Sequence, residues 1–454
     1  MMACVSIAEG GNQLPSGPKG PGRFGAYYTT LKYDAAWDKP WRIGPDADVV
    51  VRFDSGSHKF VFWRGTSYIP CWVTDTDIWY TNEFVERSGR NSPNTSGCCE
   101  PMSDKQCRYS HVRIIENTDA RVVIHWRYAP VDVKYNYPFI DQETGWSDWV
   151  DEYYTIYPDA IGVRKITAHT SRPDEWMEWH EAIVLNQPGT MPEDNIELGA
   201  LSVANMKGES HTYTWTEKGS PEFGSPVDAN ILKINLKASL KPFAIVPPSP
   251  VGGNRVITSY GGHGRGSFFN FWDHWPVAQG ASDGQLASSA NKPSHSSLCH
   301  IGKHDETWEY YAKGDNWLTK VLLNGMTDKP VTDLVPLAKS WVSAPKMELV
   351  GTTYQSVGYD QAERAYQLVK TEDKELHALR VRILADKEHP IVNPAFVVRD
   401  WGENDVTLTL NDENIQRGKM FRFGHRRTLE STDLIVWIET ESETPLTVVL
   451  SPAE

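Results

Sequence analysis

The sequence contains few cysteines, no long apolar run and almost no long helical periodicity. Six cysteines in 454 residues are too few for a disulfide scaffold. No stretch approaches the roughly 18 apolar residues of a membrane span, and the first 22 residues lack the apolar segment of a secretory signal. We therefore expect neither a membrane partner nor a helical bundle.

An excess of acidic side chains argues against a polyanionic partner. The chain has 45 Lys and Arg against 59 Asp and Glu, which gives a formal net charge of −14. Because this net charge repels a phosphate backbone, we expect no nucleic-acid partner. An anionic sugar stays compatible with the composition if basic side chains gather in one cleft.

What the sequence has in abundance is aromatic, strand-forming segments. Its 18 Trp, 19 Tyr and 14 Phe suit sheet-rich cores and sugar-binding platforms alike. Segments rich in strand-forming residues alternate with Gly, Pro, Asn and Asp, which is typical of strands and tight turns. The predicted strands are 48–53, 59–63, 111–116, 121–128, 149–157, 162–169, 230–236, 395–398, 406–410, 434–440 and 446–450.

Turns and one short helix complete the local prediction. Residues 116–119 and 158–162 each separate two strand-like runs, so both are predicted as hairpin turns. Residues 331–341 are the best helix candidate, and Pro336 inside this segment should shorten or kink it.

These patterns predict an all-β fold. Strand pairs cover the whole length without an obvious linker, so we expect a single domain over residues 1–454, with 1–25 as a loose N-terminal segment. A β-propeller is the preferred architecture. No repeat of fixed period supports it, and a pair of all-β sandwiches is the competing architecture.

The window 261–304 holds five of the 14 histidines. Histidine titrates near neutrality and can move a proton in either direction, so two of them across a loop can serve as a base and a substrate-orienting group. We single out His274 and His295 as the candidate catalytic pair. The alternative is that each ring only satisfies backbone groups at a strand end.

Cys99, Cys107 and His111 have a spacing compatible with a structural metal site, with Cys71 as a fourth ligand. A disulfide from Cys99 or its neighbour Cys98 to Cys107 fits the spacing equally well. Either would act as a clamp, so a structural Zn²⁺ or Ca²⁺ is the metal considered, and no cofactor is expected for the chemistry.

Two further basic residues lie within predicted strands. Alternation places His125 on one face of its strand, with Val123 and Arg127, and Arg164 lies in a later strand. Both are candidate substrate-binding residues, since a guanidinium pairs well with a carboxylate. A cross-strand ion pair is the simpler alternative for each.

Several motifs resemble one family of carbohydrate-active enzymes. They are VFWRGT at 61–66, CRYSHVR at 107–113, HWRYAP at 125–130, VDEYY at 150–154, the window from HWPV at 274–277 to 294–295, and LAKSW at 337–341. The chain resembles the β-propeller enzymes that include ulvan lyases and enzymes acting on L-rhamnose-α-1,4-D-glucuronate in gum arabic and arabinogalactan. The resemblance implies a seven-bladed β-propeller and an acidic oligosaccharide or polysaccharide as the substrate.

The same resemblance implies β-elimination. The two histidines of the family fall on His274 as the base and His295 as a carboxylate-binding group. Where the family has a tyrosine and an arginine, this sequence has Asn324 and Lys339. Asparagine cannot act as a general acid, whereas Lys339 can still offset a carboxylate charge, and Asn324 would help to hold that carboxylate.

Two other functions remain open at this point. A related branch hydrolyses the same linkage as an α-L-rhamnosidase, with a histidine from the N-terminal region, for which Asp46 and His58 are the nearest candidates. A non-catalytic glycan-binding propeller would use the aromatic residues as platforms alone. A carbohydrate enzyme of this group is expected to be secreted or periplasmic.

Overall fold

A computed structural model describes residues 14–15, 17–31, 47–87, 94–253, 255–258, 266–272, 294–301, 309–371 and 376–453. The strands of the first part of the chain are β1 (Gly25–Thr29), β2 (Asp48–Arg52), β3 (Lys59–Phe62), β4 (Pro70–Val73), β5 (Trp79–Thr81), β6 (Glu86–Arg87), β7 (His111–Asn117), β8 (Val122–Tyr128), β9 (Trp149–Ile156), β10 (Ile161–His169), β11 (Met177–Glu178), β12 (Glu181–Asn186), β13 (Ile196–Ala204), β14 (Ser210–Tyr213), β15 (Ile231–Leu236), β16 (Lys241–Ile245), β17 (Val256–Thr258), β18 (Ser294–Ile301), β19 (Ala312–Gly314) and β20 (Trp317–Thr327).

The remaining strands are β21 (Lys346–Val350), β22 (Tyr354–Asp360), β23 (Ala365–Lys370), β24 (Leu379–Leu384), β25 (Ile391–Val392), β26 (Ala395–Arg399), β27 (Asp405–Leu410), β28 (Glu413–Ile415), β29 (Phe421–Arg427), β30 (Thr432–Ile438), β31 (Glu441–Ser442) and β32 (Leu446–Ala453). The helices are α1 (Pro192–Asn195) and α2 (Val335–Val342), with 3-10 turns at Arg64–Thr66, Pro101–Ser103 and Val331–Leu334.

In the described part of the chain, most of these strands belong to four large sheets. Sheet I has the order β1-β2-β3-β4-β5-β12-β18-β17, and sheet II has the order β14-β13-β15-β16-β20-β10-β9-β8-β7, with β19 paired to β20. Sheet III has the order β21-β24-β32-β27-β28 and sheet IV the order β22-β23-β26-β30-β29. Two short pairs, β6 with β11 and β25 with β31, complete the set.

Sheets I and II pack face to face as a large first sandwich. The rings of Phe60 and Phe62 from sheet I lie 5.3 and 5.5 Å from the ring of Tyr154 in sheet II. One buried apolar cluster runs between the two sheets, and a separate cluster fills the space between sheets III and IV. Strands such as β9 and β24 alternate more buried and less buried residues, because one face of each strand meets the facing sheet.

The second sandwich and helix α2 cover one end of the outer face of sheet II. Leu337 and Trp341 of α2 join a buried cluster with Val163 and Phe243 of sheet II. Gly325 of β20 is required here, since a Cβ at this position would lie 2.5 Å from the carbonyl oxygen of Ala160. The other end of the outer face is left open to solvent along β7 to β10.

Two ion pairs connect the first sandwich to the β22–β23 turn of the second. The Arg364 guanidinium contacts Asp159 at 2.9 Å, and Arg121 contacts Glu363 at 2.7 Å. The side chains of Arg364, Asp159 and Arg121 are almost fully buried. The prediction of one domain over residues 1–454 stays a prediction.

The predicted β-propeller is wrong, although the all-β class is right. A propeller needs blades of about four strands that are adjacent in sequence. Here β12 pairs with both β5 and β18, and β20 joins β16 to β10, so each large sheet combines strands far apart in the chain. The competing architecture, a pair of sandwiches, is the one observed.

The local predictions are confirmed. Every strand range predicted from the sequence overlaps a strand of the structure, and the turns at 116–119 and 158–162 connect the antiparallel pairs β7–β8 and β9–β10. The predicted helix is divided into a 3-10 turn and α2, and Pro336 lies in the first turn of α2, where its missing N–H costs no hydrogen bond.

Candidate functional site

The open end of the outer face of sheet II carries polar and aromatic side chains in three cross-strand rows. In the first row His169 lies between Trp149 and Trp317 on the two neighbouring strands. In the second and third rows Asp151 lies opposite Arg127, and Tyr153 lies between His125 and Lys165. Directly opposite residues in antiparallel strands point to the same face, so these side chains share one surface. We call the set Arg113, His125, Arg127, Trp149, Asp151, Tyr153, Lys165, His169 and Trp317 the polar array.

Asp151 is at the centre of the polar array and contacts two histidines. Its Oδ1 lies 2.6 Å from Nε2 of His125, and its Oδ2 lies 3.1 Å from Nε2 of His169. The Asp151 side chain is 15% exposed and that of His169 is 47% exposed. One carboxylate therefore orients a buried histidine and a solvent-accessible one.

The contacts of His125 determine which of its nitrogens carries the proton. The Arg113 Nε–H donates to Nδ1 of His125 over 3.2 Å. A guanidinium can only donate, so Nδ1 is the unprotonated nitrogen and Nε2 carries the hydrogen that Asp151 accepts. The His125 ring is also stacked on Tyr153, with ring centroids 4.5 Å apart. The tautomer and the orientation of His125 are thereby fixed.

The surroundings shift two pKa values within the polar array. Burial raises the pKa of Asp151, but the hydrogen bonds from His125 and His169 outweigh burial and bring it below the ordinary carboxyl value. Burial, and then the charge of Asp151, raise the pKa of the Tyr153 phenol. At neutral pH the array thus combines an ionised carboxylate with a phenol that keeps its proton.

Basic and aromatic side chains surround this centre. The Arg127 guanidinium is 3.8 Å from Asp151 and lies over the ring of Trp149, 4.9 Å from its centroid. The polar array contains three cations, Arg113, Arg127 and Lys165, and one carboxylate, so it is locally positive in a chain of net charge −14. This is the gathering of basic residues that an anionic sugar requires.

The predicted binding residues His125 and Arg164 lie on β8 and β10 of sheet II, on either side of β9. His125 belongs to the polar array, on the face that alternation predicted, with Trp126 and Tyr128 buried on the opposite face. Arg164 points into the sandwich and forms an ion pair with Glu152. Arg164 thus has the cross-strand ion pair that was the simpler alternative, and His125 has a cross-strand hydrogen bond to Asp151.

The structure places His295, Asn324 and Lys339 away from this surface. His295 is buried in β18, where its backbone pairs with Trp272. Asn324 is buried on the inner face of sheet II and accepts a hydrogen bond from Trp72 Nε1 at 2.8 Å. Lys339 of α2 forms an ion pair with Glu388 at 2.9 Å. His274 lies outside the described residues, so the predicted catalytic pair stays a prediction.

Cys99, Cys107 and His111 are not assembled into a metal site. Among the residues that the structure describes, no group of three or more His, Cys, Asp and Glu side chains has a metal-binding arrangement. Neither Cys98 nor Cys99 forms the proposed disulfide with Cys107, and Arg64 Nη1 lies 3.6 Å from the Cys107 sulfur. His111 is exposed on β7.

Asp151 and His169 are the central residues that the sequence interpretation missed. The signal was the period of two along β9, which places Trp149, Asp151 and Tyr153 on one face. Combined with the short turn at 158–162, this period also places His169 beside Trp149. The cross-strand neighbours of β10 on β20 have no comparable signal, because that pairing joins segments about 150 residues apart.

Comparison with known proteins does not assign a family to the chain. No protein-family model and no curated protein matches it. Among solved structures it is similar to a galactose 1-epimerase from Lactobacillus acidophilus NCFM, with 7% identity and a TM-score of 0.31, covering 67% of this chain and 99% of that one. It is also similar to a GalM/aldose epimerase homologue from C. elegans, with 9% identity and a TM-score of 0.28, covering 60% and 96%.

A third similarity is to an alpha-mannosidase from Enterococcus faecalis V583, with 8% identity and a TM-score of 0.28, covering 87% of this chain and 41% of that one. At these TM-scores the similarities assign no role to any residue. Within the described residues, no helix has the length and apolar character needed to cross a membrane.

Proposed function

We propose that the protein is an enzyme that binds an acidic carbohydrate on the polar array and cleaves it by β-elimination. The observation that carries the proposal is Asp151, which contacts both His125 and His169 on an open sheet face lined by basic and aromatic side chains. Aromatic rings suit the apolar faces of sugars, and the cations Arg113 and Arg127 suit a uronate carboxylate.

Elimination at a uronate requires a base for the C5 proton, a cation near the carboxylate and a proton for the leaving oxygen. We assign the base to His169, because Asp151 accepts from its Nε2 and leaves the lone pair of the neutral ring on Nδ1. Arg127 neutralises the carboxylate. As the C5 proton leaves, its bonding electrons form the C4–C5 double bond, and the C4–O4 bond breaks towards the oxygen.

Tyr153 is the proton donor that we assign to the leaving oxygen. Its phenol stays protonated at neutral pH because burial and the charge of Asp151 raise its pKa. After turnover His169 holds the added proton and Tyr153 is a phenolate, so proton exchange with solvent restores both. The polar array can thus supply all three components without a metal ligand.

Elimination suits the polar array better than hydrolysis does. Most glycoside hydrolases use a pair of carboxyl groups, one as an acid and one as a base or nucleophile. The polar array contains one carboxylate, Asp151, which accepts hydrogen bonds from two histidines. A histidine base beside cations is the arrangement that proton abstraction next to a carboxylate needs.

The L-rhamnose-α-1,4-D-glucuronate linkage expected from the sequence resemblance has the parts that this chemistry uses. Its glucuronate provides a carboxylate, an acidified C5 proton and a sugar leaving group on O4. We therefore propose rhamnose-capped glucuronate glycans of the gum arabic or arabinogalactan type as substrates.

The experiment is to incubate the protein with gum arabic and to follow both products. Elimination should release rhamnose together with a 4,5-unsaturated uronate, which absorbs in the ultraviolet. Release of rhamnose together with a saturated glucuronate would show that the reaction is hydrolysis and not elimination. Binding of the glycan without any released sugar would instead show a carbohydrate-binding protein and would overturn the enzymatic proposal.

A further inference from the structure

A cavity lies between the two sandwiches, away from the polar array. It has a volume of about 590 Å³ and is lined by the turn that follows β9, the start of α2 and strands β29 and β30. This volume is within the range of small-molecule sites, which is roughly 300–1,000 Å³. Both sandwiches contribute to the cavity wall, with His58 on one side and Trp437 on the other.

Buried polar atoms on the cavity wall have no partner among the described residues. His58 is 6% exposed, and neither of its ring nitrogens has a hydrogen-bond partner there. Trp437 is 2% exposed, and its Nε1 lacks a partner in the same way, as does the buried Nε of Arg422. Buried polar groups in folded proteins are almost always hydrogen-bonded. Three residues around one cavity have buried polar atoms without a partner in the described part of the chain, which indicates that a ligand binds there.

The ring of His58, on the cavity wall, has both a donor and an acceptor. Burial lowers its pKa to about 4, so the ring is neutral at neutral pH, with one N–H and one lone pair. The ring is stacked on Phe53, with centroids 4.8 Å apart and planes 11° apart, which fixes its position. A hydroxyl group can donate to one nitrogen and accept from the other.

The charged residues around the cavity disfavour an acidic ligand. Each of the three cations already has a carboxylate partner: Lys329 with Glu441 at 3.2 Å, Lys419 with Glu439 at 3.7 Å, and Arg422 with Asp54. Asp328 and Asp333 add further negative charge to the lining. The cavity therefore offers carboxylate acceptors, and its donors are either neutral or, for Arg422, already paired with a carboxylate, which matches hydroxyl groups.

We propose that the cavity between the sandwiches binds a neutral mono- or disaccharide, with His58, Trp437 and Arg422 as its hydrogen-bonding residues. The site is distinct from the polar array and does not depend on the function proposed for it. Its ligand differs in charge from the acidic glycan proposed there.

The test is calorimetric titration with L-rhamnose, D-galactose, D-glucose and cellobiose, and with D-glucuronate as the charged counterpart. We expect at least one neutral sugar to bind, and glucuronate to bind more weakly. His58→Phe keeps the shape and stacking of the ring but removes both nitrogens, and Trp437→Phe removes the indole N–H. Each should weaken binding roughly tenfold, the size of one lost hydrogen bond.

Asp151→Asn serves as the matched control, because it alters the polar array and should leave neutral-sugar binding unchanged. Heat denaturation of each variant verifies that it is folded. If only one of the two cavity variants folds, its affinity for neutral sugars can still be compared with that of Asp151→Asn. Absence of binding by all four neutral sugars at their highest soluble concentration would overturn the proposal. So would tighter binding of glucuronate, or neutral-sugar binding that Asp151→Asn abolishes while both cavity variants retain it.

Discussion

Arg164 and Glu152 form a doubly hydrogen-bonded ion pair in the interior of the first sandwich. The Nε–Oε2 and Nη2–Oε1 distances are both 2.7 Å, and both side chains are fully buried. The hydroxyls of Tyr128 and Tyr154 donate to the same carboxylate at 2.8 and 2.6 Å. This network fills the hydrogen-bonding capacity of Glu152, so Arg164 organises the core and does not face a substrate.

Removal of one member of this pair should destabilise the fold strongly. Glu152→Gln leaves the Arg164 charge buried without its counterion, which typically costs about 3–5 kcal/mol. Urea denaturation measures the loss. Glu403→Gln is the matched control, because Glu403 pairs with Arg427 on the surface and this exposed ion pair should contribute little to stability. Equal effects of the two substitutions would contradict the structural role.

Turnover should depend on His169. His169→Gln removes the proposed base while it keeps a polar side chain at an exposed position, so we expect kcat to fall by roughly 10²–10⁴-fold with little loss of stability. His211→Gln, an exposed histidine on the far edge of sheet II, should leave kcat unchanged. Unchanged release of unsaturated uronate by His169→Gln would remove this residue from the mechanism.

Arg127 should contribute affinity for the acidic substrate. Arg127→Gln removes the cation beside Asp151, and the loss of a charge-assisted hydrogen bond corresponds to a roughly 10- to 100-fold lower kcat/KM. The dependence of KM on salt should also weaken. Arg380→Gln, which alters an exposed arginine in sheet III, provides the comparison. A salt dependence identical to that of the unmodified protein would show that Arg127 does not contact the substrate.

Asp151 should contribute to stability in a pH-dependent manner. The folded state lowers its pKa below the ordinary carboxyl value of about 4, so ionisation favours the folded state. The contribution is present above pH about 4 and is lost as the pH falls below it. The difference in unfolding free energy between the unmodified protein and Asp151→Asn, measured by urea denaturation, should therefore shrink towards pH 3. A difference that is constant from pH 7 to pH 3 would show that the His125 and His169 contacts do not lower this pKa.

Most of the secondary structure could be predicted from the sequence because its causes are local. A period of two, with turn residues at 116–119 and 158–162, is sufficient to predict β7 to β10 as two antiparallel hairpins. The short length of α2 could also be predicted from Pro336, because the steric effect of a proline ring acts within one helical turn. The propeller prediction was wrong because it required the pairing of strands that are distant in sequence, which local patterns do not specify.

The polar array could be predicted only in part. His125 was identified because alternation along β8 separates it from Trp126 and Tyr128. Asn324 and Lys339 were assigned by resemblance, and the structure turns Asn324 towards Trp72 in the core and pairs Lys339 with Glu388. Neither outcome has a local signal, since both depend on contacts with distant segments.

By itself, the sequence determined that the chain forms antiparallel strands with defined inner and outer faces, because side-chain alternation is a property of each strand. Only the tertiary structure decided that β10 lies between β9 and β20, which brings His169 between Trp149 and Trp317 and beside Asp151. The physical reason is that sheet order depends on which apolar faces can be buried together, and this choice involves the whole chain at once.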